Sequence, residues 1–253
     1  MKAIILAAGV GKRFKEVTDH RPKCLIDIQG KTLLERTLAA LGAAGVEQAV
    51  VVIGYHGEMI RQQIGSTCGR VNVTYVNNSQ YEKGAILSLL SARDEFNDDI
   101  LIMDADVLFP VAMIDRLIRS SHANCFLLDD SAANTGEEQM LLTRDGRVLD
   151  IVRGGSGAFD VIGESVGFLK VSRSDAPLLR SILDNLVAQG HDTIEHEEAY
   201  PIFLSQRVVG FERIDDLPWT EIDFPEDLQR AEREVLPRIV ALDSAITDPR
   251  RLD

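Results

Sequence analysis

Two pairs of carboxylates stand far apart in the sequence, each next to apolar residues. Asp104 and Asp106 follow the apolar residues 100–103, and Glu221 and Asp223 have the same spacing near the other end of the chain. Residues i and i+2 of a strand share a side, so each pair could offer two oxygens to one hard divalent cation. The two pairs could therefore meet across one metal ion. Two other roles stay open, a turn or helix cap for Asp106 and a helix N-cap for Asp223.

An apolar run that ends on two glycines opens the chain. Residues 2–8 are followed by Gly9 and Gly11, and Arg13 and Lys23 then add positive charge. Glycine adopts positive φ angles and lets the backbone approach a ligand, while Arg and Lys bind phosphate oxygens. The spacing is neither the GK[ST] of a Walker loop nor the GxGxxG of dinucleotide folds. We predict a buried first strand and an anion-accepting loop; an ordinary tight turn stays open.

Strands and helices alternate up to about residue 128. The predicted strands are 2–8, 49–53, 71–76, 100–103 and 125–128, and the predicted helices are 31–44, 57–64, 85–96 and 111–120. Such alternation predicts an α/β fold with βαβ units and a mostly parallel sheet, which binds ligands at the carboxyl ends of its strands. The glycine loop and the Asp104–Asp106 pair both fall at that edge.

The pattern changes in the second part of the chain. Predicted strands cover 138–143, 147–152, 165–171 and 208–214, a helix covers 176–189, and Pro225 opens a final helix. We expect a smaller, β-rich mixed sheet that covers the active edge as a substrate lid. The predicted organisation is a single domain over 1–243, divided into 1–128, 129–224 and a C-terminal helix over 225–243, followed by a tail over 244–253.

Composition excludes several classes of partner. The 253 residues carry a formal net charge of −13, which disfavours nucleic acid and anionic membranes. No apolar run approaches the roughly 18 to 20 residues that span a bilayer, and residues 2–8 are expected to be a core strand rather than a signal peptide, so the expected compartment is the cytoplasm. The three cysteines are predicted to be reduced thiols. His191 and His196, with the glutamates around them, are predicted to form a solvated charged loop.

Taken together, these motifs resemble the nucleotidyltransferase family that makes NDP-sugars and CDP-alcohols. The resemblance covers about residues 2–235. The matching segments are LAAGVGKRF at 6–14, RPK at 21–23, KTLLER at 31–36, GY at 54–55, DAD at 104–106, and WTEID at 219–223 with EDL at 226–228. The last motif is most similar to cytidylyltransferases that act on phosphocholine or on phosphonates such as 2-aminoethylphosphonate. Ala105 replaces the family's usual glycine, and residues 82–88 fall between the patterns of the phosphocholine and the sugar enzymes.

The resemblance implies a Rossmann-like three-layer fold, with 1–128 as the nucleotide-binding half and 129–224 as the acceptor-binding half, and it implies a role for each motif. Lys23 and Arg13 would be catalytic, and Asp106 and Asp223 would hold Mg²⁺. A nucleoside triphosphate, with CTP favoured, would contact Leu6, Ala7, Ala8, Gly9, Val10, Gly11, Lys23, Gly84, Ser88 and Asp104. A small phosphorylated or phosphonate acceptor would contact Glu138, Trp219 and Glu221, since an aromatic face with carboxylates suits a cationic head group.

Alternatives remain for the acceptor and for the activity. Glu137 and Glu138 could form a solvated turn, and Trp219 could belong to the core. The family also contains sugar-1-phosphate and inositol-phosphate nucleotidylyltransferases. A non-catalytic nucleotide-binding subunit would be expected to lack Arg13, Lys23 or the aspartates, all of which are present. A homodimer is left open.

Overall fold

The computed structural model describes residues 1–11, 21–131, 136 and 138–246, so Arg13, Glu137 and the residues after 246 lie outside the described part of the chain. The strands are β1 (Lys2–Ala7), β2 (Asp27–Ile28), β3 (Lys31–Thr32), β4 (Gln48–Ile53), β5 (Thr67–Cys68), β6 (Val71–Asn77), β7 (Ile100–Asp104), β8 (Val107–Leu108), β9 (Cys125–Asp129), β10 (Gln139–Arg144), β11 (Arg147–Arg153), β12 (Val161–Val171), β13 (Gly210–Arg213) and β14 (Thr220–Glu221). The helices are α1 (Leu33–Ala43), α2 (Gly57–Ile64), α3 (Ala85–Ser91), α4 (Val111–Arg119), α5 (Ala176–Ala188), α6 (Tyr200–Leu204), α7 (Pro225–Arg230) and α8 (Leu236–Ile246).

Within the described residues, ten strands form one mixed sheet. The main path runs β11-β10-β12-β7-β1-β4-β6-β5, and β9 joins β12 on one side and β13 on the other. Strand β1 pairs in parallel with β4 and β7, and β4 pairs in parallel with β6. The carboxyl ends of these four strands therefore meet at one edge of the sheet, as the alternation of strands and helices predicts.

Hydrophobic cores cover both faces of this sheet. Ala3, Ile5 and Ala7 of β1 pack into one core, and Ile4 packs into another. Successive strand residues point to opposite faces, so the two cores lie on opposite sides of the sheet. The first core takes side chains from α1, α2 and α4, and the second takes them from α3, α5 and α6. This three-layer arrangement explains why β1 and β4 are apolar along nearly their whole length.

The strands after residue 138 extend the same sheet, where the sequence suggests a separate smaller one. Strand β12 pairs antiparallel with β7 along residues 168–171 and with β10 along residues 161–164. Strands β10 and β11 are antiparallel because the short turn at Asp145 and Gly146 joins them as a hairpin. The strands over 139–171 are therefore continuous with the parallel half of the sheet.

A third core joins the C-terminal helices to the segment after Lys23. It contains Ile26 and Ile28 from that segment, Ile222 from the loop after β14, and Val235 and Ile239 from the C-terminal region. The predicted final helix begins at Pro225 as expected, but it contains a π-helical turn over Ala231–Val235 and continues to Ile246, beyond the predicted end at 243. In the described part of the chain, no helix combines the length and apolar character needed to cross a bilayer.

Candidate active site

A cavity of about 1060 Å³ opens at the carboxyl ends of β1 and β7. Fourteen of the predicted site residues line it: Leu6, Ala7, Ala8, Gly9, Val10, Gly11, Lys23, Ser88, Asp104, Asp106, Glu138, Trp219, Glu221 and Asp223. Gly84 is not among the lining residues, and Arg13 lies outside the described residues. The structure thus collects residues from both ends of the chain around one space.

The described part of the glycine loop is closely fitted to its neighbours. Gly11 has a φ of +59°, and a Cβ atom added there would lie 3.3 Å from the Cβ of Lys23. Both the positive φ and the close approach favour glycine. The backbone N–H of Tyr55 donates to the carbonyl of Ala8 at 3.0 Å, which ties the start of the loop to the end of β4. The loop therefore holds Lys23 close to the end of the first strand.

Lys23 bridges two of the carboxylates that the sequence singles out. Its Nζ donates to Asp106 Oδ2 at 2.8 Å and to Asp223 Oδ1 at 2.5 Å. Burial lowers the pKa of the Lys23 ammonium, but the negative charges of Asp106 and Asp223 outweigh burial and raise that pKa above its ordinary value. Lys23 is therefore charged at neutral pH and neutralises charge at the centre of the site.

A short antiparallel ladder brings Asp223 to Asp106. Strand β14 pairs with β8, so Glu221 lies opposite Val107, and the N–H of Ile222 donates to the carbonyl of Asp106 at 3.0 Å. Asp223 does not take the N-cap role considered for it, because Phe224 is the N-cap residue of α7. Asp227 Oδ2, in the first turn of α7, accepts from the backbone N–H groups of residues 223 and 224 at 3.0 and 2.8 Å. The Asp223 carboxylate is left directed at Lys23.

Asp106, Glu221 and Asp223 form what we call the hard-ion cluster. Each offers one carboxylate oxygen, and these oxygens all lie within 4.8 Å of one another. Asp106 Oδ1 is buried and has no hydrogen-bond partner among the described residues. Burial within the cavity walls raises the pKa of Glu221, and the charges of Asp106 and Asp223 raise it further. A set of oxygen ligands with one unsatisfied buried oxygen fits a hard cation such as Mg²⁺. Glu221, predicted among the acceptor residues, thus lies beside the predicted metal ligands.

Two residues predicted to contact the nucleotide, Gly84 and Ser88, belong to α3 and its N-cap. Ser88 lines the cavity, and its Oγ accepts from Asn78 Nδ2 at 3.0 Å. Gly84 has a different surrounding from the one predicted: its N–H donates to the carbonyl of Asp192 at 3.1 Å, and a Cβ there would overlap the backbone of residues 193–194. Glycine is required at position 84 because another backbone segment approaches it. Gly84 therefore packs against that segment and does not line the cavity.

A second group of carboxylates comes from the neighbouring strands β9 and β12, which carry Asp129 and Glu164, and from Glu138, directly before β10. We call these three residues the acidic wall. Asp129 Oδ1 accepts from Ser131, and its Oδ2 accepts from Trp219 Nε1 at 2.7 Å. Asp129 and Glu164 are register partners across β9 and β12. Burial raises the pKa of Glu164 to about 7, helped by the negative charges of Glu138 and Asp129.

The prediction of a solvated loop around His196 is wrong. The residue is 3% exposed and lies in a 3₁₀ turn over His196–Ala199, and its Nδ1 is 3.0 Å from Glu197 Oε2. The aromatic rings of His196 and Tyr200 pack edge to face at 5.6 Å. His191 is exposed, in agreement with the prediction. The segment is buried because it packs on Gly84 and α3, a tertiary contact that a charged sequence does not reveal.

Several cavity residues are absent from the sequence predictions, notably Asp129, Glu164, His196, Glu197 and Arg230. One of them, Asp129, could have been predicted from the sequence. Asp129 directly follows the apolar residues 125–128, the same relation that marks Asp104 after residues 100–103. The others depend on how strands and loops pack across the cavity.

Residues 3–157 match the family described as the MobA-like NTP transferase domain, which is more than half of the chain. The chain belongs to this family. Among curated relatives, this MobA-like protein is 36% identical to a choline-phosphate cytidylyltransferase of Haemophilus influenzae, over 60% of this chain and 62% of the relative. It is 28% identical to a 2-aminoethylphosphonate cytidylyltransferase of Lancefieldella rimae, over 89% of each chain. These names agree with the predicted family.

Solved structures agree with the predicted fold. The inositol-1-phosphate CTP transferase from T. maritima superposes with a TM-score of 0.76 at 21% identity, covering 94% of this chain and 95% of that one. The α/β nucleotidyltransferase fold is thereby confirmed. The MobA-like chain spans only 39% to 62% of the length of the first four curated relatives that it matches.

Proposed function

We propose that this MobA-like protein is a Mg²⁺-dependent cytidylyltransferase. It would transfer CMP from CTP to a phosphocholine-type or phosphonate-type acceptor, such as 2-aminoethylphosphonate, and release pyrophosphate. The observation that carries the proposal is the pairing, in one cavity, of the Lys23-bound hard-ion cluster with the acidic wall beside Trp219. The first group suits phosphates, and the second suits a positively charged head group.

The reaction needs no protein nucleophile. An oxygen of the acceptor phosphate or phosphonate attacks the α-phosphorus in line, the new P–O bond forms, and the bond from the α-phosphorus to the bridging oxygen breaks as pyrophosphate leaves. Catalysis of this kind depends on positioning and on charge stabilisation. Lys23 supplies a fixed positive charge where the phosphates would lie, and the residues around Gly9 and Gly11 offer backbone next to it.

Asp106 and Asp223, with Glu221 beside them, would hold the magnesium ion. When bound, the metal would neutralise phosphate charge and polarise the reacting phosphoryl group. The unsatisfied Asp106 Oδ1 supports this assignment, since a buried carboxylate oxygen without a donor is uncommon unless a cation or water satisfies it. Arg13 stays a prediction, as a further cation for the β- and γ-phosphates.

The acceptor's head group would lie against the acidic wall. Asp129 is fixed by neutral donors from Ser131 and Trp219, so its negative charge is held in place without being cancelled by them. Burial raises the pKa of Glu164, and repulsion from the negative charges of Glu138 and Asp129 raises it further. An ammonium group on the substrate would relieve that repulsion, whereas a neutral sugar would not. Two relatives whose names specify phosphocholine and 2-aminoethylphosphonate support the same class of acceptor.

A pyrophosphate-release assay tests the proposal. The chain is incubated with Mg²⁺, each of the four nucleoside triphosphates, and phosphocholine, 2-aminoethylphosphonate, glucose 1-phosphate or inositol 1-phosphate. We expect turnover with CTP and an amine-bearing acceptor, and ³¹P NMR should show the new phosphoanhydride. Turnover confined to the sugar or inositol phosphates would replace the proposed acceptor. Folded protein that is inactive in every combination would favour a nucleotide-binding subunit.

A further inference from the structure

A second group of metal-ligating side chains faces the cavity outside the hard-ion cluster. Asp104 ends β7, and His196 and Glu197 begin the 3₁₀ turn before α6. Each of the three offers one ligand atom, and these atoms lie within 4.8 Å of one another. We call this group the histidine cluster. Its members line the same cavity as Lys23. Asp104 lies two residues before Asp106 of the hard-ion cluster, whereas His196 and Glu197 come from a different loop.

The imidazole of His196 is buried without a satisfying hydrogen bond. Its side chain is 4% exposed, and Nδ1 has no hydrogen-bond partner among the described residues. Nδ1 lies 3.0 Å from Glu197 Oε2, yet the two groups are not aligned as donor and acceptor. Nε2 lies 3.9 Å from Asp104 Oδ1, which is beyond hydrogen-bond distance. Buried polar atoms without a hydrogen-bond partner are uncommon in native proteins, so the surroundings of Nδ1 need an explanation.

The contact between His196 Nδ1 and Glu197 Oε2 has the separation of two ligands around a cation. Two ligand atoms at right angles, each about 2.1 Å from a metal, lie about 3.0 Å apart, and their lone pairs converge on the metal instead of on each other. The contact between His196 Nδ1 and Glu197 Oε2 is 3.0 Å long and is not aligned as a hydrogen bond, so it matches this arrangement. A proton shared by the two groups would favour a linear arrangement.

The surrounding structure holds the cluster in place. Gly167 has a φ of +75°, and a Cβ there would overlap the carboxylate of Asp104, so this glycine makes room for that side chain. Tyr200 packs against the ring of His196. The N–H of Ile86 donates to the carbonyl of Ile194 at 3.2 Å and ties the segment before the 3₁₀ turn to α3. The three ligand atoms are therefore brought together by packing before any ion binds.

We propose that Asp104, His196 and Glu197 form a second divalent-cation site, which takes a borderline ion such as Mn²⁺ or Zn²⁺. One imidazole nitrogen with two carboxylates suits such an ion better than Mg²⁺, which prefers oxygen ligands. The site is defined by metal binding alone and does not depend on the proposed transfer of CMP.

Pulsed EPR with Mn²⁺ tests the site directly, because only the histidine cluster contains a nitrogen ligand. The wild-type protein receives two equivalents of Mn²⁺ without nucleotide or acceptor. We expect a nitrogen hyperfine coupling from a directly bound imidazole. Labelling the protein with ¹⁵N-histidine should convert the ¹⁴N pattern into a ¹⁵N pattern, and this arm needs no mutation.

Variants assign the nitrogen to its residue. His196→Gln should lose the nitrogen coupling while its circular dichroism shows a folded protein. His191→Gln removes an exposed histidine five positions away and should keep the coupling. Asp223→Asn weakens the hard-ion cluster and should also keep it. The proposal is overturned if nitrogen coupling is missing from both the wild type and Asp223→Asn, or if it persists in folded His196→Gln.

Discussion

Two groups of carboxylates face one cavity and differ in what balances their charge. In the hard-ion cluster, the chain supplies its own cation, since Lys23 contacts Asp106 and Asp223 at 2.8 and 2.5 Å. In the acidic wall, Asp129 is held by neutral donors, and Glu164 carries a pKa raised to about 7. Under the proposed function, the difference means that the first group would meet anionic phosphates through Lys23 and a bound metal ion, whereas the second would meet a cation that arrives with a substrate.

The two groups are also assembled differently. Asp106 and Asp223 meet because the small β8–β14 ladder and the third hydrophobic core bring together segments from both ends of the chain. The acidic wall needs only neighbouring strands of one sheet, β9, β10 and β12. Changes to the first group should therefore affect the chemical step, and changes to the second should affect recognition of the acceptor.

Replacing Lys23 should give the largest effect. Lys23→Met keeps the length of the side chain and removes its charge, so we expect kcat to fall by about 10³-fold, the magnitude of a lost transition-state charge contact. Pyrophosphate release under saturating substrates measures it. Lys31→Met, at an exposed position, serves as the matched control and should change kcat less than about twofold. Near-normal turnover of Lys23→Met would remove Lys23 from the mechanism.

Asp223→Asn should follow, with a loss in kcat of about 10²-fold or more and a higher Mg²⁺ concentration for half-maximal rate. The substitution keeps the shape of the side chain and removes one of the charges that would hold the metal. Titration of the rate with Mg²⁺ checks both effects. Asp215→Asn, which alters a surface ion pair with Arg213, is the control. An unchanged Mg²⁺ requirement would mean that Asp223 is not a metal ligand.

Trp219→Leu should affect the acceptor alone. Loss of the aromatic ring and of the N–H donated to Asp129 should raise KM for an amine-bearing acceptor by about tenfold, with KM for CTP unchanged. Trp219→Phe keeps a ring and removes the donor, so it should lie between wild type and Trp219→Leu. Equal increases in both KM values would show that Trp219 maintains the shape of the whole cavity. The acidic wall would then have no separate role in binding the acceptor.

The smallest expected effect is a pH dependence set by Glu164. Below a pH of about 7 the Glu164 carboxyl binds a proton, and above it the carboxylate attracts an ammonium group. KM for an amine-bearing acceptor should therefore decrease by about threefold to tenfold from pH 6 to pH 8, as for a partly screened ion pair. Glu138, Asp129 and Arg230 also face this carboxyl and tune its pKa.

Glu164→Gln should flatten this profile and leave the pH dependence of KM for CTP as it is in the wild type. Steady-state kinetics at fixed ionic strength over pH 6 to 8 measure both profiles. A profile that survives in Glu164→Gln would assign the titration to another member of the acidic wall.

The parallel half of the sheet could be predicted from the sequence, because strands β1, β4 and β7 are buried on both faces and appear as continuous apolar runs. The ligand edge follows from strand direction alone, which is why residues 6–11 and 104–106 could be placed at one cavity. The later strands are harder to place, since short antiparallel strands fit either a lid or an extension of the sheet. The prediction that His196 is exposed was wrong because its segment packs on Gly84 and α3. Surrounding glutamates normally indicate a solvent-exposed segment.

The ion pair between Lys23 and Asp223 joins residues 200 positions apart. At a synthesis rate of about 5–20 residues per second, the aspartate leaves the ribosome roughly 10–40 s after the lysine. During that interval a nascent chain can form the parallel strands and bury β1, but its hard-ion cluster is incomplete. Under the proposed function, catalytic competence would therefore be acquired only after Asp223 is made, and a chain released before Asp223 would have most of its sheet without a complete hard-ion cluster.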